Sequence, residues 1–233
     1  MKYIHRADQR GITNFGWLNS RHSFSFGEYY DPEMMGYRSL RVINDDSIAG
    51  GGGFPMHPHR DMEILTWVLE GSLEHKDSLG NGSIIRPNEL QRMTAGTGIR
   101  HSEFNHSPTE TVRLLQIWIL PEARGLTPSY EQKSFNPHDR LGKLHLIASR
   151  EGKNGSISLK QDVNLYASTV RPEDKIDFSL GNNRGVWIQV ATGSVKVSGE
   201  ILSQGDAIAI ESVPSLLIEA HNTGGEILLF DLA

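Results

Sequence analysis

The chain contains no cysteine among its 233 residues. That absence excludes a disulfide framework, a thiolate nucleophile and any sulfur-ligated metal. It also fits a reducing compartment, so a cytoplasmic protein is the expectation. Long apolar runs are missing as well. The amino terminus, Met1-Lys-Tyr-Ile-His-Arg-Ala-Asp, reaches charge before any apolar stretch forms, and no segment has the length of a membrane span, which leads us to expect a soluble, unprocessed chain with no membrane partner. Nor does charge of one sign dominate. The formal net charge of −5 is spread over both halves, without the concentrated positive field that phosphate backbones demand, so direct nucleic-acid binding is not expected. No Gly-x-Gly-x-x-Gly or P-loop string occurs, which argues against an organic nucleotide cofactor. What remains is a chain with 37% hydrophobic residues, enough for the core of one large or two modest domains.

Periodicity points to strands. Ile64 to Leu69 is an apolar run closed by Glu70-Gly71, Ser72 to Lys76 alternates before a polar turn, and Leu90 to Met93 and Val112 to Leu120 follow. Pro121 ends the last of these, and the polar, proline-bearing stretch from 121 to 139 reads as a linker. The second half repeats the layout. Gly71-Ser-Leu-Glu-His75 is matched by Gly193-Ser-Val-Lys-Val197, each after an apolar strand, and Glu226 to Asp231 closes the chain as Leu114 to Leu120 closes the first half. No convincing helix competes, although Leu141 to Ile147 fits a short helical or extended connector. We therefore expect an all-β protein of two tandem β-barrel, double-sheet domains, 1–125 and 126–233, since closing or stacking sheets protects strand edges and encloses an interior.

Ten histidines are present, and their arrangement carries the chemistry. His57 and His59 follow a glycine-rich stretch in Gly51-x5-His-Pro-His-x3-Glu63. His101 and Glu103 follow Gly96 to Gly98 about forty residues later. Side chains two apart in a strand share one face. If the two strands meet, three imidazoles and one carboxylate converge in an interior, a set that accepts iron, manganese, nickel, copper, cobalt or zinc without strong preference. His22, His75, His106, His138, His145 and His221 are expected to be surface or hydrogen-bonded residues. The second half has no histidine around 179–183 or 209–214, so its barrel is expected to bind no metal.

The paired histidine segments resemble the two motifs of the cupin superfamily. The fuller strings Phe54-Pro-Met-His-Pro-His-Arg-Asp-Met-Glu63 and Met93-Thr-Ala-Gly-Thr-Gly-Ile-Arg-His-Ser-Glu103, with His22-Ser-Phe-Ser-Phe-Gly27, Leu40-Arg-Val-Ile-Asn-Asp-Asp46 and Gln116-Ile-Trp-Ile119, are similar to the pirin family. The resemblance implies a bicupin with one metal ion, iron by preference, in the amino-terminal cupin. It matches His57, His59, His101 and Glu103 to the pirin ligands and leaves Glu63 as the glutamate that other cupins use.

Two classes of function accompany that resemblance. One is a quercetin 2,3-dioxygenase, taking a small planar aromatic flavonol and dioxygen and releasing carbon monoxide. In such an enzyme the metal acts as a Lewis acid beside a hydroxy-ketone, and Glu103 or Glu63 is the candidate catalytic acceptor of the 3-hydroxyl proton. The other is an iron-binding regulatory protein without turnover, whose protein partner would meet Arg21, Arg38, Arg41, Arg60, Arg92 and Arg100 if they cluster. Phe24, Phe26, Phe54, Met56 and Met93 are candidates for an apolar substrate cleft, and His22, Asp61 and Glu63 for orienting ligand imidazoles. A monomer is expected.

Overall fold

The computed structural model describes residues 2–233, and the described residues form twenty strands and three short 3-10 turns. Two compact units divide them. One comprises residues 11–135 and 159–161, and the other residues 2–10, 136–158 and 162–233.

The chain begins with β1 (Lys2–His5), which lies in the second unit. The first unit then runs through β2 (Gly11–Asn14), β3 (Leu18–His22), β4 (Leu40–Ile48), β5 (Gly53–His59), β6 (Glu63–Glu70), β7 (Leu73–Asp77), β8 (Gly82–Ile85), β9 (Glu89–Thr94), β10 (Ile99–Asn105), β11 (Val112–Ile119) and β12 (Ser129–Ser134). A seven-stranded sheet has the order β12-β9-β6-β11-β4-β3-β2, and a four-stranded sheet the order β5-β10-β7-β8. The stretch expected to be a linker contains β12, which pairs antiparallel with β9 from Ser129 opposite Thr94 to Ser134 opposite Glu89. Backbone pairing at a sheet edge outweighs its polar composition there.

The period-2 pattern decides which face each strand buries. Along β10, Ile99, His101, Glu103 and Asn105 are buried while Arg100 and Phe104 are exposed. Leu18, Ile48, Val68, Leu73, Ile85, Val112 and Leu114 pack into one apolar cluster of this unit. Burying each such aliphatic side chain stabilises by about 1.5–3 kcal/mol.

The second unit holds β13 (His145–Ser149), β14 (Ile157–Ser158), β15 (Val163–Val170), β16 (Lys175–Ser179), β17 (Gly185–Val197), β18 (Glu200–Ser203), β19 (Ala207–Glu211) and β20 (Ser215–Leu232). Together with β1 these make one nine-stranded sheet in which β17 and β20 are long enough to serve two sets of neighbours. The connector expected over Leu141 to Ile147 resolves as extended, entering β13 at His145. Gly71, at a φ of 73°, separates β6 from β7, whereas its repeat counterpart Gly193, at 69°, is only a bulge within β17. A Cβ on Gly193 would lie 2.2 Å from the Gly224 carbonyl oxygen, so only glycine fits this close strand approach. No helix among the described residues is long and apolar enough to cross a membrane.

Candidate metal centre

β5 and β10 pair antiparallel with His57 directly opposite His101. The next aligned pair is Phe54 with Glu103, so β5 carries one residue more than β10 between them, and Pro55 and Met56 together oppose Ser102. This bulge suits its residues. β5 is an edge strand, and proline has no N–H to contribute to a ladder. It also restores alternation, since Phe54, His57 and His59 are shielded while Pro55, Met56 and Pro58 are exposed.

The three imidazoles converge. Ring centroids are 4.5 Å apart for His57 and His101, 4.7 Å for His57 and His59, and 4.8 Å for His59 and His101. One ligating atom from each lies within 4.8 Å of the others. His57 Nδ1 is 2.8 Å from the Pro55 carbonyl oxygen, which places the ring proton on Nδ1 and leaves the Nε2 lone pair free to bind a metal. His101 is buried, and neither of its ring nitrogens has a hydrogen-bond partner. A buried imidazole left so is costly unless something else meets its lone pair, and a divalent ion beside two further imidazoles would do so. Burial, with the neighbouring imidazoles adding to it, pushes His59 down to about 4 and His101 down to about 3. Both rings are therefore uncharged at neutral pH, the state a metal ligand needs.

Glu103, also buried, points into the same interior from β10. Gln116 on β11 donates from Nε2 to both of its oxygens at 3.2 and 3.0 Å, and Gln116 Oε1 accepts from the Thr66 hydroxyl at 3.4 Å. This amide orients the carboxylate within the cavity. His75 on β7 pairs with Glu103 in register and shares with His101 and Glu103 a second group of ligating atoms within 4.8 Å. It is hydrogen-bonded, as expected, with Nε2 3.1 Å from Asp77 Oδ2, yet its closeness to the centre is new. A signal was available in the alternation of Leu73, His75 and Asp77, the same two-apart spacing of polar side chains that marks β5 and β10.

A cavity of about 310 Å³ opens over these residues. His57, His59, His101 and Glu103 line it from the four-stranded sheet, while Ser20, His22, Asn44, Asp46 and Gln116 line it from the seven-stranded sheet. Phe15, Phe26, Phe54, Ile64 and Trp118 complete an apolar wall. Of the residues expected to form a cleft, Phe26 and Phe54 do so. Phe24 and Met93 are buried in the packing, and Met56, thrown outward by the bulge, is 45% exposed.

The expected imidazole-orienting residues have other partners. His22 joins Thr13 Oγ1 at 2.8 Å and Asn44 Oδ1 at 2.7 Å. Asp61 accepts from the Gly125 N–H at 2.7 Å. Glu63, expected as a proton acceptor, is corrected by strand alternation. Its neighbour Ile64 lines the cavity, so Glu63 faces the other side of β6, where it accepts from the Lys160 N–H at 3.2 Å. Arg92 is buried against Glu131 at 3.1 Å rather than presented at the surface.

Asp46, which ends the Leu40 to Asp46 string but is assigned no role from sequence, is a buried carboxyl on β4. Burial pushes it up to about 7, with Asp45 and Glu103 adding and a hydrogen bond from Ser20 opposing. Its Oδ1 has no hydrogen-bond partner.

With this geometry in place, comparisons with known proteins are informative. Residues 5–119 match the family model described as pirin, and residues 146–232 match the quercetinase C-terminal cupin domain. The chain is 47% identical over 232 residues to the quercetin 2,3-dioxygenase of Escherichia coli strain K12, covering 100% of this chain and 99% of that protein. The crystal structure of YhhW from Escherichia coli superposes with a TM-score of 0.96 at 47% identity, covering 100% of this chain and 98% of that one. The bacterial pirin YhhW from the same organism in complex with nickel(II) gives 0.94 at 47%, covering 100% and 99%.

Proposed function

Since the chain belongs to the pirin family, we propose that it is a metal-dependent dioxygenase that opens a flavonol such as quercetin at the 2,3 bond and releases carbon monoxide. The observation that carries this reading is the juxtaposition of a converged imidazole set, with the buried His101 nitrogens unpartnered, and an apolar-walled cavity of about 310 Å³.

The ligands we assign are His57, His59, His101 and Glu103. One divalent first-row ion suits these nitrogen and oxygen donors, and iron is the ion we propose, nickel(II) being the one present in a solved relative. When bound, it supplies a Lewis acid that lowers the pKa of a hydroxy-ketone. The chain's own residues do the rest. His57 is held by the Pro55 carbonyl, so its ring cannot turn away, and Gln116 fixes Glu103. Phe15, Phe26, Phe54 and Trp118 accept a flat aromatic ring system and exclude water from it. The substrate supplies the electrons for its own oxidation, so no organic cofactor is needed.

The test is quercetin under air with protein reconstituted separately with iron, nickel and manganese, followed by loss of flavonol absorbance and by carbon monoxide release. Turnover abolished by chelation and by His57→Ala is the expected result. Metal-replete protein that releases no carbon monoxide would instead support an iron-dependent binding protein.

A further inference from the structure

Opposite the imidazoles, the cavity wall carries a line of polar groups for which the metal has no use. Asp46 on β4 stands in register with Ser20 on β3, and Ser20 with Thr13 on β2. Asp46 accepts from the Ser20 side chain. Ser20 Oγ is 3.4 Å from His22 Nδ1, and His22 Nε2 is 2.8 Å from Thr13 Oγ1. Asp46, Ser20 and His22 are buried, whereas Thr13 is partly open to solvent. His22 Nδ1 donates to Asn44 Oδ1 at 2.7 Å, so the part of this line open to a proton is the Asp46 carboxyl with the Ser20 hydroxyl beside it.

The reaction requires a proton acceptor at this wall. The O–H bond of the flavonol 3-hydroxyl breaks heterolytically. Both atoms of dioxygen enter the product, the carbon bearing that oxygen leaves as carbon monoxide, and the ring-opened ester carries a carboxylate. Each turnover thus releases one proton into the cavity. Glu103 is poorly placed to take it, because Gln116 already donates to both of its oxygens.

We propose that Asp46, held by the Ser20 hydroxyl, accepts the substrate's hydroxyl proton, leaving Glu103 as a ligand. This rests on the flavonol reading above. The unpartnered Oδ1 is the vacant acceptor, and the Ser20 hydroxyl on the neighbouring strand orients the carboxyl. Charged and titratable groups bearing on Asp46 are Asp45 on its own strand, Glu103 from β10 and His22 from β3. Arg113 engages Asp45 at 2.9 Å. Burial among these groups keeps Asp46 able to hold a proton close to neutral pH.

The experiment uses full-length, metal-loaded wild type and Asp46→Asn, an isosteric change that keeps the partner of Ser20. Metal stoichiometry is measured first. Quercetin is then added without oxygen, where ionisation of the bound flavonol is read as a red shift of its long-wavelength absorbance, and turnover is measured afterwards under air across a pH series. The expected variant keeps its metal, binds quercetin as the neutral hydroxyl at neutral pH, and loses about 10²-fold or more in kcat with a smaller change in KM. Partial recovery is expected where quercetin ionises in solution. An ionised spectrum and wild-type kcat in Asp46→Asn would overturn the assignment while leaving the dioxygenase reading intact. A wild type that neither shifts the flavonol spectrum nor releases carbon monoxide would remove both. Should Asp46→Asn fold poorly, Ser20→Ala carries the test. Lower kcat with a larger share of the flavonol bound as the neutral hydroxyl supports the assignment, and unchanged values for both refute it.

Discussion

The two units build the same strand pairings around opposite interiors. In the first, β10 lies between β5 and β7, aligning His57 with His101 and His75 with Glu103. In the second, the first part of β20 lies between β16 and the end of β17, aligning Phe178 with Leu216 and Val197 with Ile218. Superposing these registers puts Phe178 where His57 is, Leu216 where His101 is, Ile218 where Glu103 is and Val197 where His75 is. By sequence spacing, Leu180 then falls at the position of His59. Leu180, Val197, Leu216 and Ile218 are buried members of one aliphatic cluster against which Phe178 packs. One scaffold thus supports either an aliphatic core or a polar interior with buried imidazole lone pairs left unpartnered. The strand pairings therefore specify where a site can be, and the side chains decide whether one exists.

The sharpest way to break this comparison is to write the second unit's residue into the first. His101→Leu should take metal content from about one ion per chain to near zero, and elemental analysis after reconstitution measures it. Because the leucine removes a buried imidazole with two unpartnered nitrogens, the metal-free variant should be more stable than metal-free wild type by on the order of 1–3 kcal/mol in urea unfolding. Retention of a full equivalent of metal would sink the ligand assignment. The converse measurement concerns the aliphatic interior. Leu216→Ala should cost about 2–5 kcal/mol of stability through the cavity it leaves, with no change in metal content.

A smaller effect should come from the amide behind Glu103. Gln116→Met keeps the volume and removes the donor, so metal affinity should fall about 10–100-fold in a chelator competition, the range typical of groups that orient ligands. Smallest is the pH dependence of the metal-free protein. His59 and His101 titrate at about 4 and about 3 when folded, below the ordinary 6.5, so between those values the unfolded chain binds more protons and stability falls as pH falls. Asp46 acts in the opposite sense. Its folded value of about 7 exceeds the ordinary 3.8, so its contribution is present at low pH and is lost as pH rises toward 7. Two imidazoles against one carboxyl predict a urea midpoint that drops between pH 6.5 and 4, and His101→Leu should reduce that drop. An equal drop in both proteins would show that His101 is not buried as a neutral ring.

Much of this was legible in the chain because strands obey a short-range rule. The two-apart spacing of His57 with His59 and of His101 with Glu103 announces shared faces, and the absence of histidine near 179–183 and 209–214 announces a second unit of different interior. What was not legible depends on long-range partners. The bulge at Pro55 and Met56 exists only relative to β10, and it sends Met56 outward against expectation. Glu63 occupies the place of the glutamate that other cupins use, but alternation from Ile64 puts it on the opposite face. Asp46 and Gln116 lie in strings that mark the family, but no two-apart spacing of polar side chains assigns them to the cavity. Their importance comes from β3 and β10, which lie some twenty-five and thirteen residues away in sequence.

The first strand is separated from its partner by most of the chain. β1, residues 2–5, pairs with β19, residues 207–211, while residues 159–161 complete the first unit. At roughly 5–20 residues per second of synthesis, β1 waits on the order of 10–40 s on the ribosome before β19 emerges. Its sequence is suited to waiting, since Lys2, Tyr3 and His5 interrupt any apolar run around Ile4. Neither unit can therefore finish folding in the order in which it is made, and cutting the gene between the two halves would deliver two incomplete products.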